Sequence, residues 1–178
     1  MEPIVKVQVA HQPKGVIKVN GDCRLTFEET VYGAKHRLVM LVKNWNDPIF
    51  HGEYLGAFKI FMKRRVPITI ILGADDGGKV PEFLSEAFAD RARTKKKIRI
   101  MITDESVCKE YFDWNHPVKP QHPIIADSNI SHVRFLDTSD SKNPVWWSST
   151  SLNDEFGVGS IQARLDIIFG HPSTHRIM

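Results

Sequence analysis

Apolar and polar positions alternate from Ile4 to Val9, and apolar residues return from Val16 to Val19. A period of two is the signature of a strand. The turn residues Gln12-Pro13-Lys14-Gly15 between the two runs predict an N-terminal β-hairpin, closed by Asn20-Gly21. Thr26 followed by Glu29 has capping-box spacing and predicts a short helix over 27–35. Leu38–Val42 is an unbroken apolar run of strand length, ended by Asn46-Asp47-Pro48. Leu55, Phe58, Ile60, Phe61 and Met62 fall near helical spacing, so Gly52–Arg65 reads as a helix.

The same reading continues through the second half. Pro67–Leu72 and Ile98–Ile102 are strands, and Pro81–Ala92 is a helix with proline in its first turn. Glu105–Phe112 is a short helix. Asp113–Pro123 contains Pro117, Pro120 and Pro123 and predicts a surface loop or flap. His132–Leu136, Val145–Ser149 and Ala163–Phe169 are read as late strands. Strand–helix alternation through the middle argues for one α/β domain over 1–170 with a mixed, largely parallel sheet flanked by helices. Residues 171–178 are expected to form a loose tail.

Composition narrows the class without naming a function. The chain has 178 residues, 42% of them hydrophobic and 25% charged, which is the profile of a soluble globular domain. No apolar run reaches the roughly 18–20 residues of a membrane span. The first residues, Met1-Glu2-Pro3, have no leader-like pattern, so a cytoplasmic location is the expectation. Cys23 and Cys108 form no Cys-x-x-Cys motif and are expected to be reduced. The formal charge is +3 and the pI about 8.9. Basic residues cluster at Lys63-Arg64-Arg65 and from Arg91 to Lys97, which includes Lys95 and Lys96. Such clusters serve either as cations at helix C-termini or as a patch that tracks phosphates in nucleic acid or anionic lipid.

Several short motifs are weak on inspection. Gly73-Ala-Asp-Asp-Gly-Gly-Lys79 resembles a phosphate-cradling loop between strand and helix. Val80 stands where a magnesium-binding hydroxyl belongs, and Asp75 and Asp76 would repel phosphate, so a simple glycine-rich turn is the better reading. Gly157-x-Gly159 lacks the third glycine of a dinucleotide fingerprint. The pairs His116/His122 and His171/His175 lie on no convincing helix and imply no metal. Trp146-Trp147 offers a base-stacking platform, but adjacent strand residues face opposite ways, so one of the two is expected in the core and the other, taken as Trp147, is the candidate contact.

The richest constellation is Ser131-His132-Val133-Arg134-Phe135-Leu136-Asp137, followed by Trp146-Trp147-Ser148-Ser149-Thr150-Ser151-Leu152-Asn153-Asp154. A histidine and an arginine two apart on a strand share a face. In a cleft the imidazole could attack a phosphorus while the guanidinium holds the phosphate oxygens. The plainer reading is a half-buried strand with one polar face.

With these residues in view, the sequence resembles the phospholipase D superfamily. Residues 34–42 resemble its early strand, and residues 58–73 resemble its helix, basic turn and following strand. His132-x-Arg134 with Ser148–Asn153 resembles its His-x-Lys signature and subsequent Gly-Ser-x-Asn segment. The likeness spans roughly residues 24–169. Arg134 replaces the family's lysine, Ser139 stands where its aspartate falls, and Trp147-Ser148-Ser149 lacks the glycine. The resemblance implies a phospholipase-D-like fold and a metal-independent phosphodiesterase or nuclease that needs no cofactor. A single copy of the signature implies a homodimer sharing one cleft. His132 would be the nucleophile. Arg134, Ser149 and Asn153 would hold the phosphate, and Asp166, on the final strand, would orient the histidine. Lys63, Arg64, Arg65, Lys95, Lys96 and Trp147 would contact the substrate, nucleic acid in the first instance. The alternative is a catalytically degenerate module that binds nucleic acid, anionic lipid or a protein partner.

Overall fold

The computed structural model describes residues 15–20, 24–64, 66–73, 80–86, 89, 98–112, 121–137, 142, 145–152 and 154–177. Three short strands rich in β-branched and large apolar residues form its centre: β2 (Leu38–Val42), β3 (Ile68–Leu72) and β4 (Ile98–Ile102). They are parallel, with Leu38, Ile68 and Ile98 in one register row. Both faces of this trio are covered, which is why the runs are apolar almost throughout. The remaining strands are β1 (Gly15–Asn20), β5 (Gln121–Ala126), β6 (Ile130–Asp137), β7 (Val145–Leu152) and β8 (His175–Arg176). The sheet runs β1-β7-β6-β5-β2-β3-β4-β8.

The sheet is mixed, as expected, but its parallel share is confined to β2–β3–β4. Every other pairing among the described residues is antiparallel. Strand β1 pairs along its whole length with β7, from Gly15 opposite Leu152 to Asn20 opposite Trp147. The partner strand expected at Ile4–Val9 lies outside the described residues.

Alternation along the strands sorts the core into two layers. On one face Leu38, Met40, Ile68, Ile70, Ile100 and Ile124 pack under α1 (Arg24–Gly33) and α2 (Gly52–Lys63). A further helix, α3, of which residues 82–86 are described, adds Phe83 and Leu84 to that layer. On the other face Leu41, Ile71, Met101 and Ile125 pack under α4 (Glu105–Tyr111) and α5 (Glu155–Gly170). Cys108 is buried here, and burial pushes its thiol up to about 12, so it behaves as a small apolar side chain. Among the described residues no helix is long and apolar enough to cross a membrane.

Four local expectations need correction. Helix α1 begins at Arg24, ahead of Thr26, so Thr26 is inside the helix rather than its cap. Gln121–Pro123 belong to β5 and not to a loop. Ala163–Phe169 is helical: Val158, Ile161, Leu165 and Ile168 recur every three or four residues and face the sheet. Asp154 caps that helix by accepting a bond from Gly157 N at 3.0 Å, and a Cβ at Gly157 would collide with the capping carboxylate. The C-terminal residues are tied down: His175 and Arg176 pair with β4, and Thr174 Oγ1 donates to Ile168 O.

Candidate functional site

The chemistry-bearing residues gather at the carboxyl end of β2, where open α/β sheets commonly place their sites. Past Val42 the chain turns, and Asp47 Oδ1 accepts Ile49 N at 3.0 Å, which starts the short 3₁₀ turn Pro48–Phe50. Strand β5 arrives alongside. Its Pro123 has no N–H for a ladder bond. The β5–β6 register slips between Gln121 and Ile124, and His122 takes a left-handed φ of 51°. A non-glycine residue held there carries strain of about 1–3 kcal/mol. The bulge turns His122 toward Asp47 instead of letting it follow the pleat.

Asp47 joins a guanidinium and an imidazole. Its Oδ1 lies 2.6 Å from Arg134 Nη2, and its Oδ2 lies 2.6 Å from His122 Nδ1. The side chains of Asp47 and Arg134 are 0% and 2% exposed. Burial raises the carboxyl's pKa, but Arg134 and His122 together outweigh it and hold Asp47 well below the usual carboxylate range. Burial is also the main influence on His122 and lowers it, against the opposing pull of Asp47. The arrangement is an ionised Asp47 paired with Arg134, with the His122 imidazole against its other carboxylate oxygen.

His132 lies one register step deeper, opposite Thr150. It is 0% exposed. Its Nδ1 is 2.9 Å from Thr150 Oγ1, and the ring of Phe27 from α1 meets it edge-on, with centroids 6.3 Å apart. Burial, then the charge of Arg134, bring the imidazole down to about 3, so it is neutral at physiological pH. Its Nε2 has no hydrogen-bond partner among the described residues.

The other predicted residues scatter. Ser149 stands opposite Val133, so the β7 residues facing Arg134 and His132 are Ser148 and Thr150, both buried. Asp166 is on a helix, α5, and not on a strand. It belongs to the opposite side of the sheet from His132, is exposed, and accepts Gln162 Nε2 at 2.5 Å, so it cannot orient the histidine. Arg64 is no free phosphate ligand either: its guanidinium donates to Val31 O, Tyr32 O and Ala34 O and closes the end of α1. Lys63 is exposed in the last turn of α2. Trp147 occupies β7 opposite Phe135 and Asn20. Arg65, Lys95, Lys96 and Asn153 lie outside the described residues, as do His116 and residues 74–79 of the glycine-rich turn.

Asp47 and His122 are the residues that sequence reasoning missed. The only local signal for Asp47 was its place before Pro48, which reads as a chain breaker. His122 sat in a proline-rich stretch that reads as loop. Their meeting depends on Arg134, 87 positions from Asp47 in the chain. Among the described residues no three His, Cys, Asp or Glu side chains gather to hold a metal.

The sequence matches no family model and no curated protein. Solved structures do share the fold. The chain superposes on Nuc, a phospholipase D family member from Salmonella typhimurium, with a TM-score of 0.59 at 14% identity, over 92% of this chain and 97% of that one. It also matches TrmBL2, an archaeal chromatin protein, with a TM-score of 0.55 at 13% identity, over 91% of this chain and 54% of that one. Phosphatidylserine synthase from Haemophilus influenzae Rd KW20 gives 0.54 at 9% identity, over 92% and 39%. The chain thus spans nearly the whole of Nuc but only about half or less of the other two.

Proposed function

From a phospholipase-D-type fold whose signature-like residues are sealed inside the domain, we propose a non-hydrolytic module that binds nucleic acid. One observation carries the loss of catalysis: His132 is fully buried beneath Phe27, with its Nδ1 held by Thr150. A nucleophile must come within reach of the phosphorus it attacks. The would-be phosphate clamp is occupied too, since Arg134 is paired with Asp47 at 2.6 Å. Both groups are buried polar residues, each with a contact from within the chain: Thr150 for His132 and Asp47 for Arg134. Nucleic acid as the partner is supported by the pI of about 8.9 and by the shared fold of TrmBL2, whose structure is described as showing a novel mode of DNA binding.

The second reading is the enzyme: a metal-independent homodimeric phosphodiesterase with His132 as nucleophile. It is favoured by the full-length match to Nuc and by the position of His132 and Arg134 on β6, facing hydroxyl residues of β7. For this reading to hold, His132 must become reachable by substrate.

Hydrolysis of bis-p-nitrophenyl phosphate and of labelled DNA and RNA in EDTA, beside DNA-binding titrations at several salt concentrations, separates the two. The module reading expects no turnover above buffer, and a log–log salt slope of about −0.9 per phosphate contacted. EDTA-resistant turnover that disappears in His132→Ala would establish the enzyme instead.

A further inference from the structure

A cavity of about 220 Å³ opens between α5 and the amino-terminal ends of β2, β3 and β4. It lies on the opposite face of the sheet from His132. The strand register builds it. Val39, Thr69 and Arg99 stand in one row across the three parallel strands. Arg37 lies two residues before Val39, on the same face. With strands about 4.8 Å apart and about 3.3 Å per residue, the two arginine backbones are about 12 Å apart. Two long side chains can close over one anion across that span.

Both arginines are held in place from within the chain. Arg37 Nε donates to Asp127 O at 3.1 Å, and the Asp127 carboxylate collects the backbone N–H groups of Lys35, His36 and Arg37. The Arg99 guanidinium lies 5.6 Å from the centroid of the Phe169 ring. Neither guanidinium has a carboxylate partner among the described residues. The one acidic residue of the lining, Asp166, is engaged by Gln162. Thr69 adds a hydroxyl to the row, while Ile71 and Leu165 make an apolar floor.

We propose that this cavity binds a small organic carboxylate, with its anion between Arg37 and Arg99 and its aliphatic body against Ile71 and Leu165. Two cations and one carboxylate give the lining a net single positive charge, which suits a monoanion better than a phosphate dianion. A planar carboxylate also matches the guanidinium fork. The volume corresponds to about seven waters at about 30 Å³ each, which is room for a short branched acid. Prior anchoring of both arginines lowers the ordering cost of binding. This site is separate from the nucleic-acid reading and does not depend on it.

The test is a set of two-dimensional NMR titrations of the ¹⁵N-labelled protein with 3-methylbutanoate, its neutral amide 3-methylbutanamide, and inorganic phosphate. Saturable shifts of the Thr69, Arg99 and Gln162 amides are expected with the carboxylate and not with the amide. Arg99→Gln, at an exposed position, and Arg37→Gln should each weaken the carboxylate by about tenfold or more, with the rest of the spectrum unchanged. Three results would overturn the proposal: no saturable shift with 3-methylbutanoate, equal affinity in Arg99→Gln, or tighter binding of phosphate than of the carboxylate.

Discussion

Two regions of this domain display arginine, and they treat it in opposite ways. At the carboxyl end of β2, Arg134 is buried and its counter-ion, Asp47, comes from the same chain. At the amino end of the parallel strands, Arg37 and Arg99 line an open cavity and no carboxylate of the described chain pairs with them. A guanidinium with an internal counter-ion is part of the architecture. One held in place but left unpaired is a site for something else's charge. The chain's sequence resemblance points at the first region, whereas its geometry leaves the second available.

The contrast breaks most sharply at Asp47. Asp47→Ala leaves Arg134 buried without its counter-ion, and a stability loss of about 3–5 kcal/mol is expected in urea denaturation. An effect below about 1 kcal/mol would mean that the centre opens to water on its own, and the enzyme reading would regain ground.

Acid sharpens the same point. The folded state holds His132 near 3, while an unfolded histidine titrates near 6.5. Between those values the unfolded chain binds the extra proton, so stability must fall as pH falls, by about 1.4 kcal/mol per pH unit for this one group. His122 is lowered as well and acts with the same sign. Asp47 contributes in a lower window, because its stabilisation is complete above the unfolded carboxylate value and is lost as pH drops below it. Denaturant midpoints measured from pH 7 to pH 4 should show the slope, and His132→Asn should flatten it. A pH-independent midpoint would place His132 in contact with solvent.

Arg64 gives a smaller effect. Like Arg134 it is engaged from within the chain, because its donors are taken by the last carbonyls of α1. Arg64→Ala should cost about 1 kcal/mol by frayed-helix criteria such as amide exchange in α1. The smallest change belongs to the open region: Arg99→Gln should leave thermal stability within about 0.5 kcal/mol of wild type.

Much of the architecture was legible because it is local. Five-residue apolar runs such as Ile68–Leu72 can be little else than covered strands, and they were read with the right ends to within a residue. The failures have physical causes. Helix α5 carries Gly157 and Gly159 in its first turns and an Ile167-Ile168-Phe169 run at its end, so a short window over Ala163–Phe169 looks like strand. Its cap, Asp154, was the signal that would have corrected this. Strand β5 was hidden by Pro123, which the sheet accommodates with a bulge. The site was half legible. His132 and Arg134 were singled out correctly as neighbours on one strand face, but their burial depends on Phe27 and Asp47, which come from distant elements. No local pattern says whether a polar face will meet water or another helix.

The placement of β1 has a consequence for how the chain is made. Among the described residues its strand partner is β7, with Asn20 opposite Trp147. On a ribosome adding about 5–20 residues per second, β1 waits of the order of ten seconds for that partner to emerge. The parallel trio β2–β3–β4 is complete well before then and can condense first. Slowing translation between β4 and β7 should lengthen the time during which β1 lacks its β7 pairing, and so the time in which nascent chains can be captured by one another.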